Sequence, residues 1–273
     1  MAADSSAPDG GKASQPPTPA QVIAGRYDVA RILGVGASGR TMLCTDRETD
    51  RQVALKELRY EQLEAWKHLE LFEREASVLA RLDHPGVPTV FDFFKGEDGT
   101  GAVYIVQEFI DGSSLKRRIE SGPMLGQAEL LGLAEELLAV LEYLHDRAPP
   151  VLHRDIKPSN VLLRPDGSVA LVDFGGVLLG WHTPGSEGAT VVGTFGYMPP
   201  EQLLGQAGPA SDLYAVGATL LHALTGRPPT EFSFDTGRIE VPSNLPKSPL
   251  VTLIDALLRP APRDRPQSAA AAL

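Results

Sequence analysis

The apolar pattern changes period once along this chain, and that change limits the fold more than any other feature. Before Ile110-Asp111-Gly112 the apolar residues fall in short runs at 27–33, 41–44, 52–58, 89–94 and 102–109, split by Gly-rich or charged turns. Such runs read as antiparallel strands. Within that region, residues 63–82 place Leu63, Trp66, Leu69, Phe72, Ala76 and Leu79 at three- and four-residue spacing, an amphipathic helix ended by Asp83-His84-Pro85-Gly86. Beyond Gly112 the runs turn helical, at 127–146 and at 212–225, the second after Pro209 and Ser211. The expectation is an α+β chain in two lobes. The small lobe, 25–110, holds a five-stranded antiparallel sheet plus one helix, and the larger lobe, 111–273, is mostly helical.

Composition narrows the function. A chain of 273 residues with a formal charge of −10 has no basic surface for a polyphosphate backbone, so nucleic acid is not expected as a partner and any phosphate site must be local. Cys44 stands alone, so no intrachain disulfide can form, and no Cys/His cluster offers four ligands for structural zinc, which fits a reducing, cytoplasmic setting. No run of about eighteen apolar residues exists to form a membrane segment. Residues 1–24 are mostly Ala, Pro, Ser, Gly and Asp with no aromatic, the composition of a disordered tail. The alanine-rich stretch 268–273 reads as a last helix that the chain leaves unfinished, so an extension, even to a membrane span, stays open.

The chemistry-bearing residues come in a fixed order. Gly34-Val35-Gly36-Ala37-Ser38-Gly39 is a Gly-x-Gly-x-x-Gly turn between two strands, where missing side chains let backbone amides approach phosphate oxygens. In a dinucleotide-binding fold this turn should open a helix; here residues 40–44 read as strand. Val53-Ala54-Leu55-Lys56 puts a lysine on the third strand, and Glu75 on the following helix is placed to pair with it. Then come His153-Arg154-Asp155-Ile156-Lys157-Pro158-Ser159-Asn160, Asp173-Phe174-Gly175, and Gly193-Thr194-Phe195-Gly196-Tyr197-Met198-Pro199-Pro200-Glu201.

In these motifs the chain resembles the catalytic domain of bacterial, eukaryotic-like (Hanks-type) serine/threonine protein kinases, over residues 25–273. The resemblance implies transfer of the γ-phosphoryl group of ATP, with Mg²⁺, to Ser or Thr hydroxyls of proteins, including the chain itself. It implies that Gly34, Gly36 and Gly39 cover the phosphates and that Lys56, fixed by Glu75, holds them. Asp155 would take the acceptor proton, Lys157 would neutralise the moving phosphate, and Asn160 and Asp173 would bind the metal. Adenine would lie between Leu33, Thr41 and Ala54 above and Leu162 below, with Gln107 behind and the backbone of Glu108 and Ile110 at its edge. The family usually has valine where Thr41 stands.

Further expectations follow from the resemblance. Glu201 and Arg265 should form a buried ion pair, Asp212 should hold the catalytic loop's backbone, and Thr194 should bond Asp155 and Lys157. Residues 176–192 would be the activation loop, with Thr183, Ser186 and Thr190 as candidate phosphosites and Arg154 as their receiver. The Pro-rich stretch 227–250 offers no convincing helix, although the family usually has one there that docks protein substrates. Two other readings share parts of the pattern: a nucleotide-binding pseudokinase acting by shape, and a phosphotransferase acting on small molecules. The first leaves Lys56, Glu75, Asp155, Asn160 and Asp173 unexplained, and the second leaves residues 193–201 without a purpose.

Overall fold

A computed structural model describes residues 21–36, 39–58, 76–96, 102–174, 178–179, 193–235 and 238–272. The small lobe is one antiparallel sheet built from β1 (Val22–Ile23), β2 (Tyr27–Gly36), β3 (Gly39–Asp46), β4 (Arg51–Leu58), β5 (Val90–Lys95) and β6 (Val103–Glu108), in the order β1-β2-β3-β4-β6-β5. Alternation predicts five of these strands. The sixth, β1, overlaps the stretch expected as tail: it pairs with β2 through Val22 with Asp28 and Ile23 with Tyr27, and buries Ile23. Two apolar residues are too few for a periodic signal, but enough to extend an existing edge.

Strand register sorts the side chains onto two faces. Opposite pairs Thr41 with Lys56, Leu43 with Ala54, Lys56 with Ile105 and Ala54 with Gln107 share one face, because cross-strand partners point the same way. The other face carries Met42, Cys44, Val53, Leu55 and Val106, which bury a small core with Tyr27. Tyr27 stacks on Phe94 with ring centroids 5.6 Å apart, and Phe94 on Tyr104 at 5.1 Å. Burial pushes the Cys44 thiol up to about 11, so it behaves as a small apolar filler. Residues 76–79 are helical and 80–82 leave the helix in a turn, so the expected helix over 63–82 ends earlier; its residues 63–75, Glu75 included, lie outside the described residues.

The large lobe contains helices Leu115–Ser121, Gln127–His145, Pro200–Leu203, Pro209–Thr225 and Pro249–Leu257. Its core is leucine-rich: Leu137, Leu141 and Leu144 of one helix meet Leu213, Val216 and Leu220 of another, all at most 1% exposed. Each such burial contributes about 1.5–3 kcal/mol. Helix Pro209–Thr225 stops at Gly226, whose φ of 69° is the left-handed turn that closes many helices. The chain from 227 to 248 holds a 3₁₀ turn, Pro229–Glu231, and a hairpin of Phe234–Asp235 with Arg238–Ile239, with no α-helix among its described residues. At the end, Ala270–Ala272 is a 3₁₀ turn where the sequence suggests a helix. A small hairpin pairs Val161–Leu163 with Val169–Leu171, and Leu178–Leu179 pairs antiparallel with the more distant Val151–Leu152.

Candidate active site

The face of the small sheet that carries Ala54 and Lys56 looks toward the large lobe, and Lys56 bridges the two. Its ammonium donates to Asp173 Oδ1, with the lysine side chain 11% exposed and the carboxylate 46%. Burial alone would push the Asp173 carboxyl up, but the charge and hydrogen bond of Lys56, helped by His153 and Lys157, bring it below the usual carboxylate value. Asp173 is therefore an anion at neutral pH. Its φ of 67° and the 65° of Arg154 are left-handed values, uncommon outside glycine, and both residues flank the cleft.

Asp155 sits in a short hydrogen-bonded cluster. Thr194 Oγ1 donates to its Oδ1 at 2.7 Å, Lys157 Nζ donates to its Oδ2 at 2.7 Å, and the same Lys157 ammonium reaches Thr194 Oγ1 at 2.7 Å. Asn160 Nδ2 donates to the Asp155 carbonyl at 2.8 Å and to Oδ2 at 3.2 Å. That arrangement spends the amide's NH₂ on Asp155 and leaves Oδ1, which among the described residues takes Ser159 Oγ at 3.2 Å, as an acceptor.

A buried scaffold holds this loop. Asp212, 1% exposed, accepts the backbone N–H of His153 at 2.9 Å and of Arg154 at 2.8 Å, and meets His145 Nε2 at 3.0 Å. Burial would raise the Asp212 carboxyl, yet His145, His153 and the Arg154 amide keep it lowered. His153 is fully buried, which pulls its pKa down and keeps it neutral; Nδ1 accepts from the Asp155 N–H at 3.3 Å while Nε2 donates to the Val172 carbonyl at 3.1 Å. Val172 N–H in turn donates to the Asn160 carbonyl at 2.8 Å. Asn160 and Asp173 thus stand on two loops joined by backbone bonds.

The remaining expected residues fall as follows. Gly36 faces Gly39 and Gly34 faces Thr41 across the β2–β3 hairpin, whose tip residues 37–38 lie outside the described set. At Gly39 an added Cβ would lie 1.8 Å from the Glu57 carbonyl oxygen, so no side chain fits; at Gly34 it would meet open space. Thr41, Ala54, Lys56 and Gln107 share the inward face, whereas Glu108 has the opposite parity, so only its backbone can face that way. Leu33 falls at a break in the β2–β3 register and is partly exposed, Ile110 is buried, and Leu162 pairs with Ala170 in its hairpin. Glu75 and the loop positions Thr183, Ser186 and Thr190 lie outside the described residues.

On the acceptor side, the expected Glu201–Arg265 pair is present. Arg265 Nη1 reaches Glu201 Oε1 at 2.6 Å and Nη2 reaches Oε2 at 3.1 Å, and its other N–H groups are taken by the carbonyls of Arg259, Pro260 and Ala210. Two supports of this side escape sequence reasoning: Gln202 Nε2 donates to the Arg154 carbonyl at 2.6 Å, and Tyr197 OH meets His222 Nδ1 at 2.6 Å. Neither has a periodic or motif signal, since each joins residues at least 25 positions apart.

A small antiparallel sheet thus delivers a lysine onto a large helical lobe whose loops gather an aspartate, a lysine, an asparagine and a second aspartate. A family model described as protein kinase domain matches residues 27–272, and the chain belongs to the protein kinase family. Its relatives include serine/threonine-protein kinase F of Synechocystis sp., 37% identical over 91% of this chain and 54% of that protein. Serine/threonine-protein kinase PrkC of Bacillus subtilis is 34% identical over 76% of this chain and 31% of its own length, and PknA of Nostoc sp. 34% over 90% and 46%. The chain spans about half the length of these relatives or less.

Proposed function

We propose that this chain is an ATP- and Mg²⁺-dependent protein serine/threonine kinase whose acceptors include its own hydroxyls. The observation that carries the reading is the Asp155 cluster facing a lysine and a second carboxylate across one cleft. Asp155 Oδ1, held by Thr194, orients an acceptor hydroxyl and takes its proton as the oxygen bonds to the γ-phosphorus and the bridging oxygen leaves with ADP. Lys157, already at the Asp155 carboxylate, offsets negative charge on the transferring group. Lys56 holds phosphate oxygens, and the Gly34–Gly39 turn covers them.

Mg²⁺ fits the donors present. No three His, Cys, Asp or Glu side chains gather into a metal group among the described residues, and the donors that the family motifs assign to the ion are Asp173 and the Asn160 amide oxygen. That sparse oxygen set suits an ion that keeps waters and takes the rest of its ligands from substrate phosphates. When bound, the ion neutralises phosphate charge. A lysine two residues beyond Asp155 goes with serine or threonine acceptors in this family, and all three relatives named above are serine/threonine kinases.

No helix of the described residues is long and apolar enough to cross a membrane. The formal charge of −10 and the lone Cys44 support a cytoplasmic setting and argue against nucleic acid as a partner. The test is intact-mass and peptide mapping after incubation with Mg-ATP. Phosphate on serine or threonine in the wild type, absent in Asp155→Asn, supports the reading; ATP bound with no label on chain or generic protein acceptor rejects it in favour of a scaffold.

A further inference from the structure

Asp155 takes its direction from the peptide plane that precedes it. That plane joins Asp155 to Arg154, whose φ of 65° is a left-handed value with no glycine to ease it, in a loop that belongs to neither helix nor strand. Its two polar ends are held separately. The Asp155 N–H donates to His153 Nδ1 at 3.3 Å, and the Arg154 carbonyl accepts from Gln202 Nε2 at 2.6 Å. The first bond is long and stays within the loop, whereas the second is short and reaches across 48 positions of chain.

The glutamine is itself fixed. It is 4% exposed and Arg154 6%, so their bond lies out of water, where a carbonyl without a donor carries the full cost of its lost hydration. Only the NH₂ of the amide can supply that donor, which sets the orientation of the side chain. Its neighbour Glu201, pinned by Arg265 and Ser211, anchors the short helix Pro200–Leu203 from which Gln202 projects. Gly193 clears the approach: a Cβ built there would lie 2.8 Å from Gln202 Nε2 and 3.1 Å from the Arg154 carbonyl oxygen, and the φ of 135° suits glycine. Three segments thus meet at one carbonyl, yet the bonds to the Asp155 carboxylate come from Thr194, Lys157 and Asn160 rather than from Gln202.

We propose that Gln202 is a positioning residue for phosphoryl transfer: by holding the Arg154 carbonyl it fixes the tilt of the Arg154–Asp155 peptide, and with it the direction of the Asp155 carboxylate toward an acceptor hydroxyl. This inference rests on the reading of Asp155 as the group that takes the acceptor proton. Without the donor, the plane can turn to relieve the left-handed strain at Arg154 and carry the carboxylate with it. A displacement of about 1 Å at a reacting group can cost about 10²-fold in rate. Lys56 and Asp173 stand on other elements, so nucleotide binding does not depend on this bond.

The experiment measures transfer of label from Mg-ATP to the chain itself or to casein, per folded chain, beside calorimetric titration with Mg-ADP. In Gln202→Leu, kcat is expected to fall about 10²-fold while affinity for Mg-ADP stays near that of the wild type. Gln202→Glu gives the sharper readout, because a carboxylate facing a carbonyl cannot donate and a protonated carboxyl can. Burial raises the pKa of that carboxyl, so the ratio of variant to wild-type kcat should climb as pH is lowered from about 8 to about 6. A role in packing alone leaves that ratio flat. If Gln202→Leu does not fold by circular dichroism, the pH profile of Gln202→Glu decides. Wild-type kcat in folded Gln202→Leu overturns the proposal, as does a flat ratio in Gln202→Glu, and either result leaves the role of Asp155 standing. A wild-type chain that transfers no phosphate to either acceptor removes that role and this inference together.

Discussion

The Tyr197 hydroxyl lies 2.6 Å from Nδ1 of His222, tying the loop beside the Asp155 cluster to helix Pro209–Thr225. Burial lowers the pKa of His222 below its ordinary 6.5; Glu120 and Glu231 pull it back up and Lys116 down. Burial also pushes the Tyr197 hydroxyl up to about 12, so the phenol keeps its proton and donates to a neutral imidazole. A histidine depressed in the folded state contributes stability that is present above 6.5 and lost as pH falls through the lowered folded value. The unfolding midpoint of the wild type should therefore drop more steeply below about pH 6.5 than that of His222→Asn, which keeps an acceptor but cannot titrate. Parallel curves from differential scanning calorimetry would remove His222 from this role.

The buried pair Glu201–Arg265 invites a different measurement. Arg265 has a fully buried side chain and Ser211 Oγ adds a third bond to Glu201 Oε1 at 2.8 Å, so removing the glutamate strands a guanidinium. Breaking such a pair costs about 3–5 kcal/mol. For a chain of this size, Glu201→Ala should lower the melting temperature by roughly 6–20 °C. Any loss of activity should track the folded fraction. Full folding with lost activity would instead make Glu201 a direct part of the acceptor site.

Lys56→Met separates chemistry from stability. The lysine's partner Asp173 is nearly half exposed, so water can solvate the carboxylate once the ammonium is gone, and the stability change should stay within about 1 kcal/mol. Phosphoryl transfer should fall by about 10²-fold or more, as for other single groups that stabilise transferring charge. A melting curve beside a radiolabel assay checks both. A large drop in melting temperature with activity retained would recast Lys56 as a structural strut.

Much of this arrangement is readable in the chain before folding is considered, and the readable parts share one property. Lys56, Asp155, Asn160 and Asp173 each lie in a short local motif, and the five longer strands carry enough alternating residues to show a period. Strand β1 has two residues, and helices Leu115–Ser121 and Pro249–Leu257 have seven and nine, too short for a clear stripe. Their signals are caps instead: Ser114 Oγ accepts from the Arg117 N–H at 3.2 Å, and Ser248 Oγ from Val251 N–H at 3.3 Å ahead of Pro249. The expected helix at 268–273 overweights alanine propensity, which tertiary packing overrides. The Tyr197–His222 and Gln202–Arg154 bonds join distant residues with no shared pattern, and only folded geometry reveals them.

The two carboxylates of the cleft should fail in different ways when neutralised. Asp155 is 16% exposed and is held by Thr194, Lys157 and Asn160, so Asp155→Asn retains a hydrogen-bonding side chain of the same size and should fold. It loses the basic oxygen proposed to take the acceptor proton, so kcat should fall by about 10²–10⁴ while affinity for Mg-ADP stays near that of the wild type. Asp173 touches Lys56 rather than the acceptor cluster, and its carboxylate is kept charged by that lysine. Asp173→Asn should therefore weaken Mg-ADP binding and abolish its dependence on the metal, leaving metal-free ADP binding little changed. Calorimetric titration of each variant with ADP, with and without Mg²⁺, distinguishes the two. If Asp155→Asn instead lost the metal dependence and Asp173→Asn kept it, the roles assigned to the two loops would have to be exchanged.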